Sequence, residues 1–146
     1  MISMRENRDC GLTAEANYLG EVLGTHDPEG AYAMIRRDYG YPDGDGFRCD
    51  LWDSPTRHAH ILAAMTGEHV GMISDPQRMP GIILVRKGLL TWHWVCRISE
   101  HVWHDGYKAR SGLISGCSIV LGLAVDGDAG PLPWHWRLWG RLTSWT

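Results

Sequence analysis

The stretch that can carry chemistry is Asn7-Arg8-Asp9-Cys10-Gly11. Leu12, Ala16, Leu19 and Leu23 follow it at helical spacing, with Ala14 and Val22 beside them, and predict a buried helix starting near Cys10. Asp9 stands where it can cap the first turn. A cysteine in that turn meets backbone N–H groups without intrahelical acceptors and the positive end of the helix dipole, and both stabilise a thiolate. The backbone amide of Cys10 is also placed to hold an oxyanion formed beside its sulfur. This is the chemistry of an activated nucleophile; the alternative for the same residue is a buried structural cysteine.

A thiol nucleophile needs a base that takes its proton and returns it to the leaving group. His93 is the leading candidate, because it projects from a strand whose opposite face is apolar. Trp92, Trp94, Cys96 and Ile98 share that apolar face, and His93, Val95 and Arg97 share the other. Ser99-Glu100 reads as a short turn, and 101–104 as the returning strand. Asp105 lies at the end of that strand and so comes back beside residue 93, where an acid can fix the imidazole tautomer. Asp53 and His104 are possible substitutes for the acid, although His104 should point to the opposite strand face from Asp105.

The remaining elements must bring Cys10 to that hairpin. Residues 28–39 read as a second helix opened by Asp27 and Pro28, with Ala31, Met34 and Ile35 as its packed stripe. Residues 39–53 read as a Gly- and Pro-rich loop with Phe47, Leu51 and Trp52 as aromatic and apolar anchors. Asp53-Ser54-Pro55 starts a third helix that runs through Met65 and stops near Gly67, with Ile61, Leu62 and Met65 inward. Within it His58 and His60 lie two apart, on different faces, and read as solvent-facing or capping rather than as joint metal ligands. Strands are predicted at 70–73, 81–85, 92–98, 101–104 and 119–125. The tail, 131–139, carries Trp134, His135, Trp136 and Trp139; its short alternation suggests a last strand after an irregular start.

Length and composition narrow the function classes. One domain over 1–146 is expected, with 44% apolar residues to build its core. The formal charge is −3 and there is no basic tract, so nothing favours nucleic acid. No membrane span or signal peptide is visible, and a cytoplasmic location is the simplest expectation. The four cysteines, Cys10, Cys49, Cys96 and Cys117, form no CxxC pair and read as reduced thiols. No metal or other cofactor is called for. The eight tryptophans point to large buried area and to a possible exposed aromatic surface.

Asp9-Cys10-Gly11-Leu12-Thr13-Ala14 resembles the nucleophile helix of papain-like cysteine peptidases, especially the peptidase C39-like group. Gly81-Ile82-Ile83-Leu84-Val85-Arg86-Lys87-Gly88, followed by His93-Trp94-Val95, resembles that group's central and catalytic-histidine strands. Val102-Trp103-His104-Asp105-Gly106 resembles its return strand. The resemblance implies an α+β fold: a papain-like single domain with its N-terminal nucleophile helix packed against a mainly antiparallel sheet. It implies Cys10 as nucleophile, His93 as general base and acid, and Asp105 as the orienting group. Related small proteins occur in phages and bacteria. The family uses an upstream glutamine in its oxyanion hole; here no glutamine precedes Cys10, and Asn7 is the nearest side-chain amide. Asn7 and the Cys10 amide are therefore the oxyanion candidates, and Trp52, Trp92 and Trp94 the substrate-binding candidates.

The expected activity is cysteine-dependent hydrolysis or acyl transfer at a peptide or amide bond, on a peptide or protein substrate. One alternative is a non-catalytic interaction protein on the same fold, binding a protein partner through its aromatic surface. Another rests on Trp52, Ser54-Pro55, His58-Ala59-His60-Ile61-Leu62 and Val70-Gly71, which resemble the secreted CAP domain. The CAP signature places histidine and arginine in the opposite order to Arg57-His58.

Overall fold

The computed structural model describes residues 1–5, 9–39, 54–88 and 91–142. Asn7, Cys49, Trp52 and Asp53 lie outside the described residues. The architecture is α+β: helices α1 (Cys10–Asn17), α2 (Pro28–Asp38), α3 (Pro55–Thr66) and α4 (Trp134–Leu142), with an open antiparallel sheet. Its strands are β1 (Val70–Met72), β2 (Gly81–Lys87), β3 (Thr91–Ser99), β4 (Val102–His104), β5 (Ala109–Arg110) and β6 (Cys117–Val125), in the order β1-β6-β2-β3-β4-β5. All the pairings are antiparallel. Among the described residues no helix is long and apolar enough to cross a membrane.

Every residue of α1 is buried, the polar Thr13, Glu15 and Asn17 included. The helix lies between β3 on one side and α2 and α3 on the other, which leaves it no solvent face. Buried polar side chains must then find partners inside the protein. Thr13 Oγ1 donates to Asp9 Oδ1 at 3.4 Å, and Glu15 Oε1 pairs with His58 Nδ1 of α3. Asn17 grips the first residues of the chain: its Oδ1 accepts the Ile2 N–H at 2.8 Å and its Nδ2 donates to the Ile2 carbonyl at 3.0 Å. After Asn17 the helix does not stay α: Tyr18–Val22 form a π turn, so the apolar stripe does not describe one regular helix.

The second and third helices start as their sequences predict. Asp27 Oδ2 accepts the Gly30 N–H at 3.1 Å ahead of Pro28, and Ser54 Oγ accepts the Arg57 N–H at 3.3 Å ahead of Pro55. Gly67 ends α3 at φ 70°, a left-handed conformation that costs glycine little. The inward stripe of α2 is Ala31, Tyr32 and Ile35; Met34 is exposed instead of packed, because the aromatic ring of Tyr32 takes the inward position. His58 is fully buried, not solvent-facing or capping, because it is the partner of Glu15. The tail forms α4 where a strand was expected; its Thr56 and Trp92 contacts pack it as a helix against α3.

Register fixes which residues share a face of the sheet, since directly opposed residues point the same way. Ile82 and Leu84 oppose Cys96 and Trp94, and Cys96 in turn opposes His104. This is the face under α1 and α3: Trp94 meets the His58 ring edge-on at 4.8 Å, and His104 meets Asn17. His93, Val95 and Arg97 occupy the other face with Ile83 and Val85, as the alternation predicts. Arg97 is buried there: its guanidinium donates to the carbonyls of Ser99, Glu100 and Pro76 and lies over the Trp103 ring. Trp94 is 1% exposed, and its burial contributes on the order of 5 kcal/mol as an upper bound.

Candidate active site

Cys10 opens α1, and the register of β3 explains what its sulfur touches. The N–H groups of Trp94 and Cys96 point to the same edge of β3, the edge that β4 covers. β4 pairs with β3 only as far as His104 opposite Cys96, so the Trp94 N–H lies beyond the end of the ladder. Cys10 Sγ takes that place, accepting the Trp94 N–H at 3.5 Å. The thiol thus lies against the peptide that joins His93 to Trp94, and covalent geometry puts it within about 6 Å of the His93 Cα. A backbone N–H aimed at sulfur, added to the first turn of a helix, favours negative charge on that atom. Cys10 is 7% exposed.

Asp9 does not cap α1: it makes no side-chain bond to the first-turn amides. Its carboxylate instead accepts from Tyr32 Oη at 2.6 Å, the Arg5 N–H at 3.1 Å and Thr13 Oγ1. Burial, followed by the hydrogen bond to Asp9, pushes the Tyr32 phenol well above its ordinary range, so Tyr32 is a fixed donor. Residues from the chain start, α1 and α2 therefore converge on the residue that precedes Cys10.

His93 is half-buried, and its Nε2 lies 2.5 Å from the main-chain carbonyl oxygen of Asp105. A carbonyl can only accept, so Nε2 is the donor, and in the neutral ring Nδ1 keeps the lone pair. The hairpin brings residues 93 and 105 together as the sequence predicts, but the atom that orients the imidazole is the carbonyl, not the carboxylate. The carboxylate has other work. Asp105 Oδ1 accepts the N–H groups of Tyr107 and Lys108, each at 2.9 Å, and Oδ2 pairs with Arg110. Burial opposes ionisation of Asp105, yet the bonds from Arg110, Lys108 and Tyr107 outweigh it and hold its acidity below the ordinary carboxylate range. The reason is local: the chain turns sharply after His104, and the aspartate closes that turn before β5.

Trp92 is half-exposed next to His93 and packs edge-on against Trp136 of α4 at 6.1 Å. Trp94 is withdrawn from any substrate, because its ring is enclosed under α1 and α3. His58 and His60 part on α3, one buried and the other exposed. Among the described residues no group of three His, Cys, Asp or Glu side chains is arranged to hold a metal ion. Cys10, Cys96 and Cys117 are thiols, and burial pushes the Cys96 thiol far above its ordinary range, so it stays protonated.

Sequence reasoning passed over Glu15 and Asn17 as parts of this neighbourhood, and named His104 only as a substitute for the acid. The available signal was the width of the apolar surface on the first helix: Leu12, Ala14 and Ala16 spread around it, so the polar residues between them must also be buried.

Comparison with family models, with curated proteins and with solved structures gives no match for this chain.

Proposed function

We propose that the chain is a papain-like, peptidase C39-like cysteine enzyme that cleaves or transfers at a peptide or amide bond. The observation that carries this reading is that Cys10 Sγ accepts the Trp94 N–H at the open edge of β3, beside the backbone of His93, whose Nε2 is held by Asp105 O. In this reading the imidazole, which leaves β3 on the face away from α1, reaches the thiol around that edge. In the proposed reaction His93 Nδ1 takes the Cys10 proton, and the sulfur attacks the substrate carbonyl. The Cys10 amide, at the start of α1, stabilises the oxyanion. Asn7 is the side-chain candidate for the same task. His93 then gives its proton to the departing amine, and the acyl group remains on sulfur as a thioester. Water, deprotonated by His93, releases the acid and restores the thiol; an amine in place of water gives transfer. Half-exposed Trp92, braced by Trp136, supplies an apolar wall beside the reacting groups.

A small activated ester tests the reading without a known substrate. With p-nitrophenyl acetate, the acetyl group is expected on Cys10 by peptide mapping, with one equivalent of nitrophenolate released in a burst. Cys10→Ser removes the burst, and His93→Ala slows acylation about 10²-fold. Acetylation spread over accessible cysteines, or unaffected by His93→Ala, refutes the proposal.

A second reading has its own observation. Trp134 is 69% and Leu138 44% exposed, one helical turn apart on α4. That pair favours a protein-binding surface, which needs neither Cys10 nor His93.

A further inference from the structure

The peptide group between Asp105 and Gly106 is held from both sides by imidazoles. Its carbonyl accepts from His93 Nε2 at 2.5 Å, and its N–H donates to His104 Nδ1 at 3.3 Å. In a trans peptide these two bonds point in opposite directions, so one plane cannot rotate without losing both. Strand alternation puts the two rings on opposite faces of the sheet, His104 under α1 and His93 on the far face, and this peptide lies between them. Gly106 makes the passage possible: its φ of 98° is a conformation that side-chain-bearing residues rarely adopt.

The state of His104 follows from its partners. A main-chain N–H can only donate, so Nδ1 of His104 is an acceptor and its proton sits on Nε2. Asn17 Nδ2, 3.3 Å from the same nitrogen, agrees with that assignment. The orientation of the Asn17 amide is itself set by the Ile2 backbone, which takes its oxygen and its nitrogen in complementary bonds. Burial, partly offset by the neighbouring Asp105, lowers the basicity of His104. The bonds from His93 Nε2–H to the peptide carbonyl and from the peptide N–H to His104 Nδ1 run in one sense and strengthen each other, while Asn17 Nδ2 donates to the same His104 nitrogen from the other side.

We propose that His104 is a positioning residue for His93: by accepting the Gly106 N–H it sets the plane of the 105–106 peptide, and that plane holds His93 as its Nε2–H tautomer. The inference rests on the reading of His93 as the base for Cys10, and it assigns His104 a task that the Asp105 carboxylate was expected to perform.

The test reads ring nitrogens, not turnover. Long-range 1H–15N spectra of the full, 15N-labelled chain report the tautomer of each histidine, and His93 is identified by the signal lost in His93→Gln. In the unsubstituted protein both His93 and His104 are expected as Nε2–H tautomers. His104→Asn places an amide oxygen near the former Nδ1 and is expected to keep the His93 pattern. His104→Leu removes the acceptor; the His93 nitrogens should move toward a tautomer mixture, and alkylation of Cys10 by iodoacetamide should slow about tenfold. An unchanged His93 pattern in folded His104→Leu overturns the proposal, and so does an equal loss in both variants. Should His104→Leu not fold, a proton on Nδ1 of His104 in the unsubstituted protein overturns it without any variant. If the His93 tautomer follows residue 104 while Cys10 alkylation ignores His93, the positioning role stands and the acyl-transfer reading fails.

Discussion

Replacing Asp105 separates two accounts of how the imidazole is oriented. Its carboxylate is 4% exposed and has three partners: the Tyr107 and Lys108 N–H groups on Oδ1, and Arg110 on Oδ2. Asp105→Asn keeps an oxygen where Oδ1 stands, so both N–H bonds survive. What it loses is the pair with Arg110, whose side chain is 40% exposed; solvent screening leaves that pair worth about 0.5 kcal/mol. Asp105→Ala loses the two N–H bonds as well. Each such bond to a charged acceptor contributes roughly 1.5–3 kcal/mol, and water entering a part-buried turn recovers some of it, so the alanine variant should lose about 2–4 kcal/mol. Neither substitution removes the main-chain carbonyl that holds His93. Urea melts should therefore place Asp105→Asn within about 1 kcal/mol of the parent, and its acylation by p-nitrophenyl acetate within about threefold. Where a carboxylate itself orients the histidine, removing its charge costs on the order of 10⁴ in rate. A folded Asp105→Asn with acylation reduced by 10² or more would refute the argument, because the carboxylate would then be reaching the imidazole.

Other expectations follow from the same contacts. Gly106→Ala must place a Cβ at φ 98° and only 2.6 Å from Met4 Sδ, and should lose roughly 1–3 kcal/mol in a urea melt while loosening His93. Glu15→Ala strands the His58 ring in the core and should destabilise by about 3–5 kcal/mol by the same measurement; a cost under 1 kcal/mol contradicts the buried pair. Because the folded protein holds Asp105 more acidic than the unfolded chain does, its contribution to stability is complete above the unfolded value near 3.9. It is lost as pH falls through the lower folded value, so melts from pH 5 to pH 2 should show a steeper loss for the parent than for Asp105→Asn.

The sequence made α1, the second and third helix starts, and the β3–β4 hairpin legible because each is specified locally. Asp27-Pro28 and Ser54-Pro55 carry their own capping oxygens, and the Trp92-to-Ile98 alternation declares its two faces before any tertiary contact is known. The proximity of residues 93 and 105 followed from the hairpin alone. What escaped depends on contacts between distant segments. Asp9 looks like a cap by position, but Tyr32 and Arg5 claim its oxygens, and nothing near Asp9 announces a phenol from α2. His58 reads as a surface residue until Glu15 is placed above it in the core. The tail has too short a pattern to separate strand from helix, and its packing on α3 decides the matter. The choice between the carboxylate and the carbonyl of Asp105 was invisible for another reason: both belong to one residue, and only the turn geometry after His104 selects the atom.

The most direct measurement of the central claim is the pH dependence of Cys10 alkylation by iodoacetamide, followed residue by residue with mass spectrometry, in the parent and in His93→Ala. If the two groups share a proton, Cys10 reacts below pH 7 much faster than Cys117, and its profile shows an acid limb that His93→Ala abolishes. A single rise near the ordinary thiol range of about 8.5, the same in both proteins, would contradict the account.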